Sequence, residues 1–200
     1  MLGRRRNPIV IIGSELSFFK GRLGMLEGKK VNLRVLGRDD YPLLMEWLNQ
    51  PEVFGRYNPL HQVNMDDVGK IFTSPHEARP FIVEDKEGVK VGFIDYFYVL
   101  HPASRQLEVG YSFIPGERGK GYGIEALEMM VDFVFLTKDT VRIQAQTDPR
   151  NLASQKVLQK AGFIKEGVLR KTFFIRGEWT DSWMYSVLRE EWKGPRVLTV

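Results

Sequence analysis

Residues 106–135, QLEVGYSFIPGERGKGYGIEALEMMVDFVF, constrain the fold more than any other part of the chain. QLEVGYSFI (106–114) alternates as a strand does, and Pro115-Gly116 ends it. Glycines then stand at 119, 121 and 123, and apolar residues recur at Ile124, Leu127, Val131, Val134 and Phe135. That spacing is helical, so a helix starts inside the glycine loop. Glycines before a helix allow close backbone approach, and the helix N-terminus offers unpaired N–H groups to an anion. Two nucleotide readings fail on single residues. A dinucleotide fingerprint needs a third glycine where Ile124 stands, and a Walker loop needs a lysine where Tyr122 stands. A phosphate loop of another kind and a plain connecting turn both remain open at this point.

The flanking sequence supplies further strands and helices. VNLRVL (31–36) alternates as a strand, and Asp39-Asp40 open a helical stretch, YPLLMEWLNQ, that should end before Pro51. Residues 52–80 read as irregular apart from a short helix near Asp66–Phe72. RPFIVED (79–85) and VKVGFIDYFYVL (89–100) read as two strands around the Lys86–Gly88 turn. After the loop helix come a strand, VRIQAQT (141–147), and a second helix that begins at Asn151 and stops at Gly162. Two long strands, about 165–175 and 178–189, close the chain around Arg176-Gly177. The order is mixed α and β, with a strand–loop–helix–strand–helix centre.

With 200 residues and 43% hydrophobic content, one domain can bury a sizeable core. We read residues 1–24 as a basic extension, with Met25 as an alternative start, and 25–200 as a single domain. The extension imitates a signal peptide through Arg4–Arg6, but its apolar core Pro8–Ile12 is too short and no cleavage site follows. No window reaches the ~18 apolar residues of a membrane span. Cysteine is absent, which excludes disulfides and thiolate catalysis, and the cytoplasm is the default location. The net charge of +4 suits a polyanionic ligand, though part of it lies in the extension. His61, His76 and His101 lack metal-ligand spacing, so no metal is expected.

Arg118-Gly119-Lys120-Gly121-Tyr122-Gly123 resembles the R/Q-x-x-G-x-G/A loop of the GNAT acyl-CoA N-acyltransferases. LEVGYSFIP before it, NLASQKVLQKAGF (151–163), RGEWTDSWMYSVLREEW (176–192) and VNLRVLGRDDYPLLMEWLNQPEV (31–53) are similar, in order, to the branch with ribosomal-protein N-terminal acetyltransferases. The resemblance covers roughly residues 30–192. It implies an α+β, three-layer fold: a mixed, mostly antiparallel sheet of about seven strands, flanked by helices and splayed at the acetyl-CoA site. It also implies that Gly119, Gly121 and Gly123, with Phe113, Ile114, Arg118, Lys120, Tyr122 and Asn151, hold acetyl-CoA. On the bland reading Arg118 and Lys120 are solvated surface side chains and Asn151 is a helix N-cap.

The similar enzymes transfer acetyl directly from thioester to amine. Such a site needs a neutral amine, a donor for the thioester oxygen and a proton for the leaving thiolate. Deprotonating a lysine-like amine at pH 7 costs about 4–5 kcal/mol, and an α-amine only about 1–1.5 kcal/mol. Glu108, on the strand entering the loop, is the candidate base, with a pKa expected to rise among apolar neighbours; the alternative is a structural glutamate. A backbone N–H near Ser112 or Phe113 would polarise the carbonyl. Many members place a tyrosine acid where this chain has Leu158, and Ser154 is the substitute that the branch suggests. Tyr185 reads as core; Trp47, Trp183 and Phe54 could line an acceptor groove, with core packing the preferred reading for each tryptophan.

The expected function is acetyl-CoA-dependent N-acetylation of an amine acceptor, foremost a protein N-terminus. A polyamine or aminoglycoside would favour an acidic groove, for which Glu52, Asp66, Asp67 and Glu77 are the candidates in the 52–77 stretch. A non-catalytic CoA-binding sensor would keep the loop and tolerate loss of Glu108. Binding of nucleic acid through the extension is disfavoured, because no aromatic-basic interleaving supports it. A homodimer is left open.

Overall fold

The computed structural model describes residues 24–71, 78–99 and 105–198. The extension up to residue 23, His76, Glu77 and His101 therefore lie outside the described residues. The strands are β1 (Met25–Glu27), β2 (Val31–Val35), β3 (Arg79–Asp85), β4 (Lys90–Tyr98), β5 (Leu107–Phe113), β6 (Arg142–Thr147), β7 (Ile164–Ile175) and β8 (Glu178–Leu188). They form one sheet in the order β1-β2-β3-β4-β5-β6-β8-β7. Every neighbouring pair is antiparallel except β5–β6, which is parallel. The sequence implied about seven strands; the eighth is β1, whose three residues are too short to show alternation.

Helices cover both faces of the sheet. Helix α4 (Tyr122–Thr137) and α5 (Leu152–Lys160) bury Leu127, Met130, Val134 and Leu158 against Leu33, Ile94, Leu107, Val109 and Ile143. On the other face, α1 (Tyr41–Asn49), α2 (Pro51–Phe54) and α3 (Met65–Ile71) pack Leu44, Trp47, Val53 and Val68 on Ile82 and Phe93. Helix α1 ends at Asn49, before Pro51 as expected, and Pro51 then starts the short α2, where its missing N–H is not needed. Helix α4 is apolar nearly all round, as a helix lying between a sheet and a second helix must be.

The feature that makes a site is a parting in the sheet. β5 and β6 share only the pairs Leu107↔Ile143 and Glu108↔Gln144. Beyond Glu108 the edge of β5 that faces β6 has no strand partner, so its polar backbone groups open onto a gap. This is the splay expected from the resemblance. Below it, the carboxylate of Glu125, in the first turn of α4, accepts from the backbone N–H groups of Lys30 and Val31 at 2.5 and 3.1 Å. The β1–β2 turn is thereby fastened to the start of α4.

Candidate active site

A cleft of about 940 Å³ fills the parting. One wall is β5 from Val109 to Phe113 together with residues 51–58. The other is β6 from Ala145, the loop through Asp148 and Asn151, and Ala153, Ser154, Val157 and Leu158 of α5. Arg118, Gly119, Gly121, Tyr122, Gly123 and Ile124 close one end. Arg176, at the tip of the β7–β8 hairpin, also lines it.

At the loop end, Gly119 and Gly121 have φ of +83° and +88°, a left-handed conformation that favours glycine. Gly121 is the N-cap residue of α4. Among the described residues, the N–H groups of 119–124 donate to no backbone carbonyl, so they are free for an anion. A Cβ on Gly123 would lie 3.3 Å from the Phe113 ring, which fixes how close the helix start sits to β5. This chemistry fits the pyrophosphate of a coenzyme A.

The two cations of the loop are differently employed. Arg118 donates to the carbonyls of Phe113 (2.8 Å), Glu52 (2.7 Å) and Val53 (2.8 Å), so its guanidinium ties α2 to the end of β5. Ser112 Oγ joins the same carbonyl of Val53 at 2.6 Å. Lys120 pairs with Glu117 at 2.8 Å and stays at the surface. Lys120 is thus the solvated surface side chain of the bland reading, whereas Arg118 is held by three carbonyls. Ile114 does not line the cleft: it packs on the α1–α3 side, and its N–H goes to Val91 O. A cation that sequence inspection missed is Lys30, whose Nζ reaches the Lys120 carbonyl at 3.5 Å. It comes from the β1–β2 turn, some 90 positions away in sequence, so no local motif signals it.

The face of β5 opposite α4 carries Glu108, Gly110 and Ser112. Glu108 Oε2 accepts from Gln144 Nε2 at 2.8 Å, and both its oxygens accept from Gln146 Nε2 at 3.3 and 3.4 Å. Its hydrogen-bond partners are amides, and Phe97 stands directly across from it on β4. Gln146 passes the network on, accepting from Ser182 Oγ at 2.9 Å. Diagonally across on β4, Asp95 accepts from the Gly110 N–H at 3.1 Å. Its carboxyl lies so close over Gly110 that a Cβ there would sit 2.7 Å from Oδ1. Burial, with the Glu108 charge adding to it, pushes Asp95 up to about 7. Sequence reading passed over Asp95 because a lone aspartate in a strand carries no spacing signal.

On the α5 side, Asn151 Oδ1 accepts from the Ser154 N–H at 3.2 Å, so Asn151 is the helix N-cap. Ser154 Oγ lies 2.9 Å from the Tyr111 hydroxyl, which also reaches the Ser154 carbonyl at 3.4 Å. Burial pushes the Tyr111 phenol up to about 12. Leu158 and Tyr185 are fully buried, and Trp47 stacks on Phe93 in the second core. Trp183 packs against the main core, and Phe54 lines the cleft beside His61.

The cleft lining carries three guanidinium groups, on Arg56, Arg118 and Arg176, and three carboxylates. Of the lining carboxylates, Glu117 pairs with Lys120 and Asp148 with Arg150 at 2.8 Å each. Arg56 and Arg150 lie over the Tyr57 ring at 4.8 and 5.8 Å. Among the described residues, neither Arg56 nor Arg176 has an ion-pair partner, and Glu52 is the remaining lining carboxylate. Asp66 and Asp67 lie on α3 outside the cleft lining, with Asp67 paired to Lys70. No group of three or more metal-ligating side chains occurs among the described residues, and no helix in them is long and apolar enough to cross a membrane.

The acetyltransferase (GNAT) domain profile matches residues 30–164. Probable N-acetyltransferase YjcK of Bacillus subtilis is 37% identical over 101 residues, which span 50% of this chain and 56% of that protein. Spermidine N(1)-acetyltransferase of Escherichia coli is 25% identical over 169 residues, 79% of this chain and 86% of that one. Among solved structures, ribosomal-protein-S5-alanine acetyltransferase from Vibrio fischeri superposes with a TM-score of 0.71 at 25% identity, covering 84% of this chain and 98% of that chain.

Proposed function

The chain belongs to the acetyltransferase (GNAT) family, and from that premise we propose that it acetylates the α-amine of a protein N-terminus. Bound acetyl-CoA supplies the acetyl group as an activated thioester. The free N–H groups of 119–124 and the N-terminus of α4 hold the pyrophosphate, with Lys30 beside them. The unpaired edge of β5 near Ser112 and Phe113 offers an N–H to the thioester oxygen. Glu108 and Asp95, on β5 and β4 beside the lining residue Gly110, act as one base: Glu108 accepts from the amides of Gln144 and Gln146, and its charge adds to the burial that raises the proton affinity of Asp95. A base poised near neutral pH suits an α-amine, whose own pKa of about 8 leaves little proton to remove. Ser154 offers its hydroxyl to the departing sulfur.

The observation that carries the choice of acceptor is that, among the described residues, the lining side chains Arg56 and Arg176 have no acidic partner. A polyamine or aminoglycoside would bring several positive charges against them, and like charges brought together cost several kcal/mol. A peptide brings one amine and a backbone, and acidic residues after its first position would meet the arginines. The test is a panel of N-terminal peptides with acidic or basic flanks, plus spermidine, followed by CoA release. Acidic-flanked peptides should exceed spermidine at least about tenfold in kcat/KM. Paired Arg56→Glu and Arg176→Glu changes should narrow that gap. A wild-type preference for spermidine would overturn the acceptor, and acetyl-CoA binding without transfer to any amine would make the protein a sensor.

A further inference from the structure

We propose that Tyr111 is a positioning residue of this site: its phenol donates to Ser154 Oγ and so turns the serine hydrogen into the cleft, toward the sulfur of the thioester. The inference rests on the acetyl-transfer reading above. Its basis is geometric. Both side chains line the cleft, one from each wall, and they meet at 2.9 Å across the parting between β5 and α5. Ser154 is held at two points, its N–H by the Asn151 cap and its hydroxyl by Tyr111. A serine on the first turn of a helix otherwise rotates freely, and its hydrogen is spent on whichever acceptor is nearest. With the phenol filling one lone pair of Oγ, the O–H is left for an acceptor in the cleft.

The alternative orientation has the serine donating to the phenol and the phenol donating to the Ser154 carbonyl at 3.4 Å. That second bond is long, and a negative sulfur arriving in the cleft favours the other arrangement. Because burial keeps the phenol protonated up to about pH 12, Tyr111 is a donor at every working pH. The same fact limits its role. A thiolate whose conjugate acid has a pKa of about 8.5 does not draw a proton from such a phenol. As the C–N bond forms and the C–S bond breaks, the electron pair stays on sulfur and the amine proton goes to the Glu108–Asp95 pair. Tyr111 and Ser154 contribute a hydrogen bond to the thiolate, which takes its proton from solvent afterwards. The phenol that many relatives of this fold place at the position of Leu158 has its counterpart here on a strand, acting through a serine.

The test compares binding of CoA with binding of an analogue lacking the sulfur, at about pH 9.5 where the CoA thiol is ionised. Wild type should prefer CoA about five- to tenfold, one charge-assisted hydrogen bond being worth about that factor or more. Tyr111→Phe and Ser154→Ala should each abolish the preference while leaving affinity for the analogue unchanged. In turnover, each change should lower kcat about tenfold with KM for acetyl-CoA within twofold, and the double variant should be no slower than Ser154→Ala. A Tyr111→Phe protein that keeps the full preference, or losses that multiply in the double variant, would overturn the proposal. A wild-type protein that bound neither CoA nor the analogue would instead overturn the acetyl-transfer reading itself.

Discussion

Asp95 and Glu108 stand on one face of neighbouring strands, and the Glu108 charge adds to the burial that raises the Asp95 pKa. Two amides donate to Glu108, whereas Asp95 is buried, accepts from the Gly110 N–H and faces the Glu108 charge. The folded-state pKa of Asp95, about 7, lies above its unfolded value, so its contribution to stability is fully present below about pH 4 and is lost as pH rises through about 7. Asp95→Asn keeps an acceptor for Gly110 and removes the charge. Thermal melts should show this variant above wild type at pH 8 by several degrees, with the gap closing at pH 4. A constant gap would mean that Asp95 does not titrate in this range. Glu108→Gln should cost turnover most near neutral pH, with the loss shrinking as free amine becomes abundant. The sequence offered Glu108 through its place in the strand entering the loop, and hid Asp95 because only cross-strand register brings it there.

Among the elements, the short α2 owes its position to Arg118 and Ser112, which converge on the Val53 carbonyl. An arginine in a glycine-rich loop reads from sequence as a phosphate ligand, and the side chain turns out to fasten a cleft wall. The reason is local: the last carbonyls of a four-residue helix have no partners of their own, and a guanidinium can satisfy several at once. Arg118→Ala should therefore lower the melting free energy by about 1–3 kcal/mol and raise the acceptor KM more than the acetyl-CoA KM. A change confined to acetyl-CoA affinity, with normal stability, would return Arg118 to the phosphates. Helices α4 and α5 and the strands flanking them were legible because each has a long periodic pattern and an end signal. β1 was not, since three residues at a sheet edge carry neither, and Lys30 reaches the loop only because Glu125 holds the β1–β2 turn there.

Across the whole molecule, the strands before and after the loop are joined in the sheet by just two register pairs of β5 and β6. The layered fold was readable from the order of elements. The depth of the cleft was not, because it depends on where two strands stop pairing, and side-chain alternation continues unbroken through that point. A ligand lying in the parting touches both walls and the start of α4, so it binds the folded state alone. At about 100 times its Kd, acetyl-CoA should add about 2.7 kcal/mol of stability. For a chain of this size that is a rise in Tm of about 5–10 °C. Gly121→Val removes the cradle twice over. Its φ of +88° strains any side chain, and the added carbons stand where the pyrophosphate must meet the backbone. The variant will melt lower by itself, so the decisive quantity is the increment on adding acetyl-CoA, which should fall to less than about 1 °C. An increment equal to that of wild type would show that the phosphates lie elsewhere, and with it the placement of the whole coenzyme in the parting would fail.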